Sequence, residues 1–355
     1  MDQSSLVYGG LLAVVGVIVL VYGALVFWSP PPIVTFDSER SCKSRSSPKP
    51  QPLPRLEDPS TVDLSIIVPA YNETERLPLM MEATIQHLST AQARGLNRTA
   101  SPKLPKPDEL ANGDVKRVNN RKAGSNSSGK RMFEIIIVDD GSTDGTSAVA
   151  LDLAKKYADY DIKVVTLEKN IGKGGAVRHG MLYSGGERLL MADADGASRI
   201  EDLELLWKSM DELSGEDNDP AVVVGSRAHL VKTEAVVKRS FIRNVLMYGL
   251  HTILRIVGVG HIRDTQCGFK LFSRSAAQQI FPAQHLPTWI FDVELLLLAK
   301  QLRIPVAEVA IEWHEVAGSK LNVVTASIQM LRDLLIVRAN HVIGRWKAIR
   351  KKKVD

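Results

Sequence analysis

The sequence predicts an α/β fold in which helices flank a mostly parallel sheet. Three observations support it: short apolar runs typical of buried parallel strands, segments of helical spacing between them, and polar motifs where the runs end. Right-handed crossovers bring the carboxyl ends of such strands to one edge of the sheet, where ligands bind. We therefore expect one binding site at that edge.

Composition limits the class of protein. The 355 residues suffice for one large or two small domains, and 45% hydrophobic and 24% charged residues are ordinary for a folded protein. Two cysteines exclude a disulfide framework and a cysteine-based zinc site, and they fit a reducing compartment. Basic residues crowd the segment after the first apolar run and the C-terminus. They suggest contact with an anionic surface, and composition alone leaves membrane and nucleic acid equally open.

Residues 1–28 predict a membrane anchor. Positions 6–28 carry no charge, and a helix of that length spans about 35 Å, against a bilayer core of about 30 Å. A cleavable signal peptide is the alternative, but nothing basic precedes the run, which exceeds the usual core of roughly 7–15 residues. Five basic residues follow the run, so we expect a single-pass anchor with the rest of the chain in the cytosol. They are Arg40, Lys43, Arg45, Lys49 and Arg55.

Changes in composition divide the rest of the chain, residues 29–355, into segments. Residues 29–61, rich in proline, serine and lysine, predict a flexible tether, and residues 62–320 predict the main folded domain. Within it, residues 98–131 predict a disordered insertion. Basic amphipathic stretches at 236–257 and in the C-terminal part, 321–355, suit helices in the lipid headgroup layer. A helix pair packed on the sheet is the alternative.

Strands and helices alternate within the domain. The first strand, 62–68, stops at Pro69 because proline cannot donate to a ladder. A helix follows at 75–96, before the insertion. The further strands are predicted at 134–138, 161–167, 189–196 and 221–225, with helices at 147–157 and 175–184.

Two polar motifs end the first two strands. Tyr71-Asn72-Glu73 offers a ring to stack on a base and a carboxylate for ribose, or else an ordinary helix N-terminus with its cap. Asp139-Asp140-Gly141-Ser142 offers a carboxylate that can accept from a uracil N–H, although all of these are turn residues. Each motif alone is ambiguous.

Two more motifs favour a phosphate ligand. Gly172-Lys173-Gly174 precedes a helix and resembles a phosphate cradle in which Lys173 meets a diphosphate, without being a Walker loop or a dinucleotide fingerprint. Asp193 and Asp195 share one face of a strand end. Adjacent carboxylates repel each other unless a hard cation, Mg²⁺ or Mn²⁺, lies between them and a phosphate.

In this order the four motifs resemble the nucleotide-sugar half of inverting family-2 glycosyltransferases, which have the GT-A (Rossmann-like) fold. The resemblance implies that Asp140 reads uracil and that Pro69, Tyr71 and Glu73 surround the nucleoside. It also implies that Asp195, with Asp193, holds the metal ion on the diphosphate.

Three downstream stretches are similar to the dolichyl-phosphate β-glucosyltransferase family: 264–272, 289–295 and 312–320. Two departures from other relatives stand out. The Gln-x-x-Arg-Trp motif of polymer-making relatives is missing before Arg345-Trp346, and Ala197 stands where mannosyl-phosphate relatives often place a glutamine metal ligand. The third protein contact of the metal is therefore open.

The resemblance implies transfer of glucose from UDP-glucose to dolichyl phosphate with inversion, on the cytosolic side of the endoplasmic reticulum membrane. The product then serves as glucose donor for lumenal assembly of the N-glycan precursor, and no nucleic acid is a partner. A polyprenyl-phosphate mannosyltransferase using GDP-mannose shares every metal and diphosphate feature. A non-catalytic membrane adaptor is the alternative from another class, and the oligomeric state stays open.

A phosphate acceptor decides which further residues the site needs. Its second pKa is about 6, so it is largely a dianion at neutral pH and needs little help from a base. It needs cations, and Arg227 and Lys270 are the candidates, with ordinary surface ion pairing as the alternative. Asp264 stands where relatives with hydroxyl acceptors have a base; here it either orients one of these cations or touches the donor sugar. Together with Asp195 these three form the expected catalytic set.

Overall fold

The computed structural model describes residues 3–44, 47–90, 131–215, 219–230, 262–316 and 323–348. In these ranges nine strands form one sheet, in the order β2-β1-β5-β4-β3-β6-β8-β7-β9. The strands are Ser41–Ser44 (β1), Ser47–Pro52 (β2), Val62–Ala70 (β3), Phe133–Asp139 (β4), Asp161–Thr166 (β5), Gly186–Ala192 (β6), Val222–Ser226 (β7), Phe269–Ser273 (β8) and Val306–Ala310 (β9). The α-helices are Gln3–Trp28 (α1), Leu77–Ser89 (α2), Thr146–Lys156 (α3), Lys173–Leu182 (α4), Leu203–Ser214 (α5), Arg274–Ile280 (α6), Phe291–Gln301 (α7) and Val323–Val342 (α8).

The centre of the sheet is a parallel block. β5, β4, β3 and β6 pair in parallel, as do β7 and β9. β8 runs antiparallel between β6 and β7. The predicted α/β architecture with a mostly parallel sheet is confirmed, whereas β8 was not predicted as a strand.

Alternate residues of the central strands face two separate cores. Ile67, Met191 and Phe272 belong to one buried cluster, which includes α7 and part of α8. Ile66, Leu190 and Leu271 belong to the cluster on the other side, with α2, α3 and α5. Because both faces are buried, these strands show the continuous apolar runs from which they were predicted.

β3 continues past the predicted stop, through Pro69 to Ala70. The Ala70 carbonyl accepts from the Asp140 N–H on the β4 side (2.8 Å), so Pro69 directs its backbone toward β6. The β3–β6 ladder has already ended at Ile67, opposite Met191. The missing N–H of proline therefore removes no ladder bond.

The segment after α1 is part of the folded domain, so the prediction of a flexible tether at 29–61 is wrong for much of it. β1 pairs with the edge strand β5 and with β2. Leu53 and Leu56 are buried against the domain. The polar composition concealed this because a few buried side chains suffice to fix a short edge hairpin.

Glu39 strengthens that attachment. Its buried carboxylate accepts hydrogen bonds from the backbone N–H groups of Phe36 (2.8 Å) and Glu168 (3.0 Å). The Glu39 carbonyl lies 2.9 Å from Nε2 of His179 on α4. Burial lowers the pKa of His179 to about 4, so the ring is neutral and donates Nε2–H to the carbonyl.

α8 packs one face on the domain and exposes an apolar face. Leu334, Ile336 and Val337 join the core, so the alternative of a packed helix holds for this side. On the other side, apolar side chains are exposed at Ile328, Leu331, Leu335, Val342 and Ile343. For that face, the lipid-interface role of 321–355 stays a prediction.

The N-terminal anchor is not confirmed. Among the described residues, no helix combines the length and the hydropathy of a membrane span. Ser29, directly after α1, contacts α8 and the segment that follows it. Its Oγ accepts from Asn340 Nδ2 (3.0 Å) and from Arg345 Nη1 (2.9 Å). The two ends of the domain therefore meet.

Two predicted features lie outside the described residues: the stretch at 236–257 and nearly all of the insertion. Only Arg131 of the insertion is described, and it belongs to the domain. Its guanidinium donates to both carboxylate oxygens of Glu204 (2.7 and 2.9 Å) and lies 4.0 Å from the ring centroid of Trp207. The predicted insertion therefore ends one residue too late.

Candidate active site

The predicted site residues converge at the carboxyl edge of the parallel block. β4, β3 and β6 are neighbours in the sheet, and each leads directly into one of the polar motifs. The antiparallel β8 begins at the same edge, where Phe269 pairs with Ala192. This brings the stretch at 264–272 beside Asp193.

Asp140 holds the glycine-rich loop to the end of β4. Its two carboxylate oxygens accept from the backbone N–H groups of Ile171 (2.8 Å) and Gly172 (2.9 Å). Burial raises the pKa of Asp140 to about 6, and the two hydrogen bonds partly offset this. Each oxygen keeps a further lone pair, so the contact with uracil stays a prediction.

Asn72 ties the end of β3 to the loop that follows β4. This residue has a φ of 56°, a left-handed conformation that asparagine tolerates. Its N–H donates to Ser142 Oγ (2.9 Å), and its Oδ1 accepts from the Thr143 N–H (3.0 Å). Asn72 therefore links the ends of β3 and β4 and does not serve as a helix cap, the alternative that the sequence left open.

The three predicted nucleoside contacts differ in exposure. Tyr71 is 47% exposed, and its ring is open to a planar ligand. Glu73 is bound by Arg76, whose Nε donates at 2.7 Å, while burial raises the pKa of Glu73 against that pairing. Pro69 is buried in the sheet. Only Tyr71 presents an exposed side chain to a base.

Lys173, the first residue of α4, reaches the end of β6. Its Nζ lies 2.6 Å from Asp193 Oδ1 and 5.6 Å from the ring centroid of Trp289. Burial opposes the charge, but Asp193 and Asp292 outweigh it, so the pKa of Lys173 lies above its ordinary value. The glycine-rich loop thus presents an ammonium beside the carboxylate pair.

Asp193 and Asp195 suit a divalent cation that is shared with a ligand. No cluster of three metal-ligating side chains exists in the part of the chain that the structure describes. Asp195 Oδ1 accepts from the Ala197 N–H (3.0 Å), so the position of the missing glutamine contributes only backbone. Mg²⁺ is commonly held by one or two carboxylates, with water and substrate phosphates completing its shell. The donor set therefore fits a metal site completed by a diphosphate.

Gly268, directly before β8, allows the backbone to pass close beside the carboxylate of Asp193. A β-carbon at this position would lie 2.0 Å from Oδ2 and 2.4 Å from Cγ of Asp193. Any side chain here would displace the carboxylate. This glycine belongs to the site, and the sequence alone did not indicate its role.

Lys270 lies inside the site, not on its surface. Its side chain is fully buried, and Nζ donates to the Cys267 carbonyl (2.6 Å) and to Asp292 Oδ1. Burial raises the pKa of Asp292, which Lys270 and then Lys173 partly offset. The prediction that Lys270 binds the acceptor phosphate is therefore corrected, because its ammonium is fully buried and bonded to internal partners, out of reach of a ligand.

Asp292 is a site residue that sequence reasoning missed. It lies in the first turn of α7 and is buried among apolar neighbours. The available signal was a pair of carboxylates, Asp292 and Glu294, at the start of a mainly apolar helix, since buried carboxylates require partners. The partner of Asp292 lies on a strand 22 residues earlier.

Arg227 and Asp264 form a bidentate pair at the end of β7. Nε lies 2.7 Å from Oδ2, Nη2 lies 2.9 Å from Oδ1, and the Arg227 N–H donates to Oδ2 at 2.9 Å. Burial opposes ionisation of Asp264, but these bonds outweigh it and lower its pKa. Asp264 thus orients Arg227, one of the two roles that the sequence left open, and is a poor proton acceptor.

Trp313 is a second partner of Arg227 that was missed. The guanidinium carbon lies 5.3 Å from the centroid of its ring, which is half-buried. Its backbone pairs with Ser198, just beyond the carboxylate pair. Trp313 therefore connects Arg227, which its ring contacts, to the backbone of the segment that follows Asp195.

Comparison with known proteins identifies the family of this chain. Residues 117–281 match the family described as glycosyl transferase family 2. The dolichyl-phosphate beta-glucosyltransferase of Homo sapiens is 41% identical over 303 residues, which cover 85% of this chain and 83% of the relative. That of Saccharomyces cerevisiae is 41% identical over 310 residues, 84% of this chain and 82% of the relative.

Among solved structures, glucosyl-3-phosphoglycerate synthase from Mycobacterium tuberculosis, in complex with Mn²⁺ and UDP-glucose, matches 78% of this chain and 79% of its own. The TM-score is 0.47 and the sequence identity 15%. The two curated relatives align over more than four fifths of both chains. The chain belongs to the dolichyl-phosphate β-glucosyltransferase family, within glycosyl transferase family 2.

Proposed function

We propose that this chain transfers glucose from UDP-glucose to dolichyl phosphate with inversion, yielding dolichyl β-D-glucosyl phosphate and UDP. One observation carries the proposal: two separate cationic positions lie at one edge of the sheet. Lys173 stands beside Asp193, and Arg227 is held by Asp264. A donor diphosphate requires the first position, and an acceptor that is itself a phosphate requires the second.

The reaction needs no general base. An oxygen of the acceptor phosphate forms a bond to the anomeric carbon while the bond from that carbon to UDP breaks, and the electron pair leaves with UDP. Attack from the face opposite UDP inverts the configuration. Arg227 orients the acceptor and reduces its repulsion from the donor, and Asp264 keeps Arg227 in place.

Asp193 and Asp195 are the residues that would hold Mg²⁺ or Mn²⁺. When bound, the cation stabilises the negative charge that develops on the departing UDP. Lys173 adds a fixed charge on the same side, at the N-terminus of α4, where the helix dipole also favours a phosphate.

A donor panel tests the proposal. The full-length protein is incubated with dolichyl phosphate and either UDP-glucose or GDP-mannose, and the sugar of the lipid product is identified. We expect glucose, from UDP-glucose. Mannose from GDP-mannose would establish the mannosyltransferase alternative, and binding without turnover of either donor would favour the adaptor.

Membrane location is a separate part of the proposal. We infer a single-pass anchor in the endoplasmic reticulum membrane, a cytosolic catalytic domain, and a product that donates glucose to lumenal N-glycan precursor assembly. The uncharged stretch 6–28 supports it, as do the exposed apolar side chains along α1 and α8. Protease treatment of sealed microsomes tests the orientation: we expect digestion of the domain without detergent, and protection would reverse the topology.

Two truncations separate the anchor from the fold. Deletion of residues 1–28 should weaken membrane association while activity on detergent-dispersed acceptor persists. Deletion of residues 1–59 should also destabilise the domain, because it removes β1, β2, Glu39 and two buried leucines. Sedimentation with membranes and the melting temperature measure the two effects. Equal melting temperatures would contradict the packing of residues 37–58.

Arg227→Ala should act on the acceptor and not on the donor. We expect kcat/KM for dolichyl phosphate to fall by about 10–100-fold, since a charge-assisted contact is lost, while UDP affinity changes by less than a few-fold. Arg40→Ala, an exposed arginine paired with Asp37, is the matched control. If UDP affinity falls while the KM of the acceptor is unchanged, Arg227 belongs to the donor diphosphate.

A further inference from the structure

We propose that Trp313 is the platform on which the transferred glucose stacks, and that this ring selects glucose against sugars with an axial hydroxyl. The inference deepens the proposed function and rests on it. The transferred sugar has to lie between its own diphosphate and the acceptor phosphate, since the reaction moves it from one to the other. In the proposed function the donor diphosphate binds beside Asp193 and Asp195, and the acceptor phosphate binds at Arg227.

Trp313 contacts the acceptor position through its ring and adjoins the segment after the carboxylate pair through its backbone. Its ring lies against the Arg227 guanidinium, 5.3 Å from Cζ to the ring centroid. Its backbone pairs with Ser198, three residues beyond Asp195. A sugar that bridges the two positions therefore passes beside this ring, which is half-buried and keeps part of its surface open.

Backbone hydrogen bonds on both sides hold Trp313 in place. The Glu312 N–H donates to the buried carboxylate of Asp202 (2.6 Å), and the His314 N–H donates to the Ala197 carbonyl (2.9 Å). The Glu312 carbonyl also accepts from the Arg199 N–H (3.2 Å). The platform is thus preorganised, and a sugar can stack on it with little ordering of the protein.

Stereochemistry indicates which face of the sugar meets the ring. In a UDP-α-hexose the acceptor attacks from the face opposite UDP, and Trp313 lies on the Arg227 side, which is the acceptor's side. In glucose this face carries axial hydrogens at C2 and C4. Mannose places an axial hydroxyl there at C2, and galactose places one at C4.

Those substituents decide whether the sugar can stack. An aromatic face is negative and attracts C–H groups, so the axial hydrogens of glucose suit it. An axial hydroxyl would lose its water against the ring and gain no partner, which disfavours that sugar moderately. Trp313 should therefore favour glucose by about tenfold or more over sugars with an axial hydroxyl on this face.

The test uses the full-length enzyme and donors with one nucleotide, UDP-glucose, UDP-galactose and UDP-mannose. In Trp313→Leu and Trp313→Ala we expect UDP affinity within twofold of wild type and UDP-glucose affinity about tenfold weaker. The kcat/KM preference for UDP-glucose should fall by a similar factor, and Trp313→Phe should keep most of it. Trp207→Phe, which replaces a tryptophan between Arg131 and Arg188, is the matched control and should leave the preference unchanged.

A second measurement needs no variant. When aromatic protons of the wild-type enzyme are saturated, bound UDP-glucose should receive more magnetisation at H2 and H4 than at H3 and H5. Stronger transfer to H3 and H5, or an unchanged donor preference in a folded Trp313→Leu variant, would overturn the proposal. If the wild-type enzyme neither binds UDP-glucose nor transfers glucose, the proposed function fails instead.

Discussion

Replacement of Asp195 by asparagine should lower turnover by about two to three orders of magnitude, and Asp193→Asn should act in the same direction. A divalent cation held by this pair would offset the charge on departing UDP, a contribution of several kcal/mol, and about 1.4 kcal/mol corresponds to each tenfold change in rate. The amide keeps the shape of the side chain but loses its negative charge. Lys173 Nζ lies 2.6 Å from Asp193 and partly neutralises it, whereas no ion pair involves Asp195 within the described ranges. Asp195 therefore offers the cation the stronger negative charge.

Metal binding and turnover should change together. Manganese binding in the presence of UDP, followed by the spin-resonance signal of free Mn²⁺, should weaken in Asp195→Asn and stay unchanged in Asp152→Asn. Asp152 is an exposed aspartate of α3 that is paired with Lys155, which makes it the matched control. Wild-type turnover that persists after treatment with EDTA would exclude the metal role of this pair.

Lys270→Met should destabilise the domain by about 3–5 kcal/mol, the usual effect of removing one partner of a buried ion pair. The substitution preserves length and apolar volume, but Asp292 is left buried without its nearest cation. Urea unfolding measures the loss. In the single variant, the midpoint should fall far more than in Lys155→Met, where the lost pair is exposed to solvent.

The double variant Lys270→Met/Asp292→Leu separates stability from function. Apolar replacement of a whole buried pair is often neutral, so most of the lost stability should return. Turnover should stay low, because Lys173 loses Asp292, one of the two nearby carboxylates, with Asp193 the stronger, that favour its charge. Full activity in a stable double variant would mean that the pair serves only the fold.

The sequence was informative wherever a local pattern determines structure. Buried parallel strands produce apolar runs, and polar residues at their ends mark the ligand edge, so the positions of Asp140, Lys173 and Asp193 could be predicted. β8 could not, because it has only five residues, Lys270 interrupts its apolar run, and its direction depends on pairing with β6 and β7. The attachment of 37–58 was hidden for a similar reason, since Glu39 is fixed by Glu168 and His179, far away in the chain.

Roles within the site were harder to predict than positions. Lys270 and Arg227 are both cations that follow β6 in the chain, and the sequence cannot distinguish a buried ammonium from an accessible guanidinium. The difference arises from Asp292, which reaches Lys270 from α7, and from Asp264, which leaves the guanidinium of Arg227 partly exposed. Gly268 and Trp313 act through close approach to Asp193 and Arg227, which only three-dimensional contact reveals.

The contact of Ser29 with Asn340 and Arg345 affects how the enzyme meets a lipid substrate. These hydrogen bonds connect the end of α1 to the C-terminal helix and restrict relative motion of the two elements. In the proposed anchored state, the catalytic cleft then stays at a fixed height above the bilayer. A domain on a flexible tether would sweep a volume above the membrane, and this domain would not. The acceptor would instead arrive by lateral diffusion in the bilayer. Surface density of the lipid phosphate, not its bulk concentration, would then set the encounter rate.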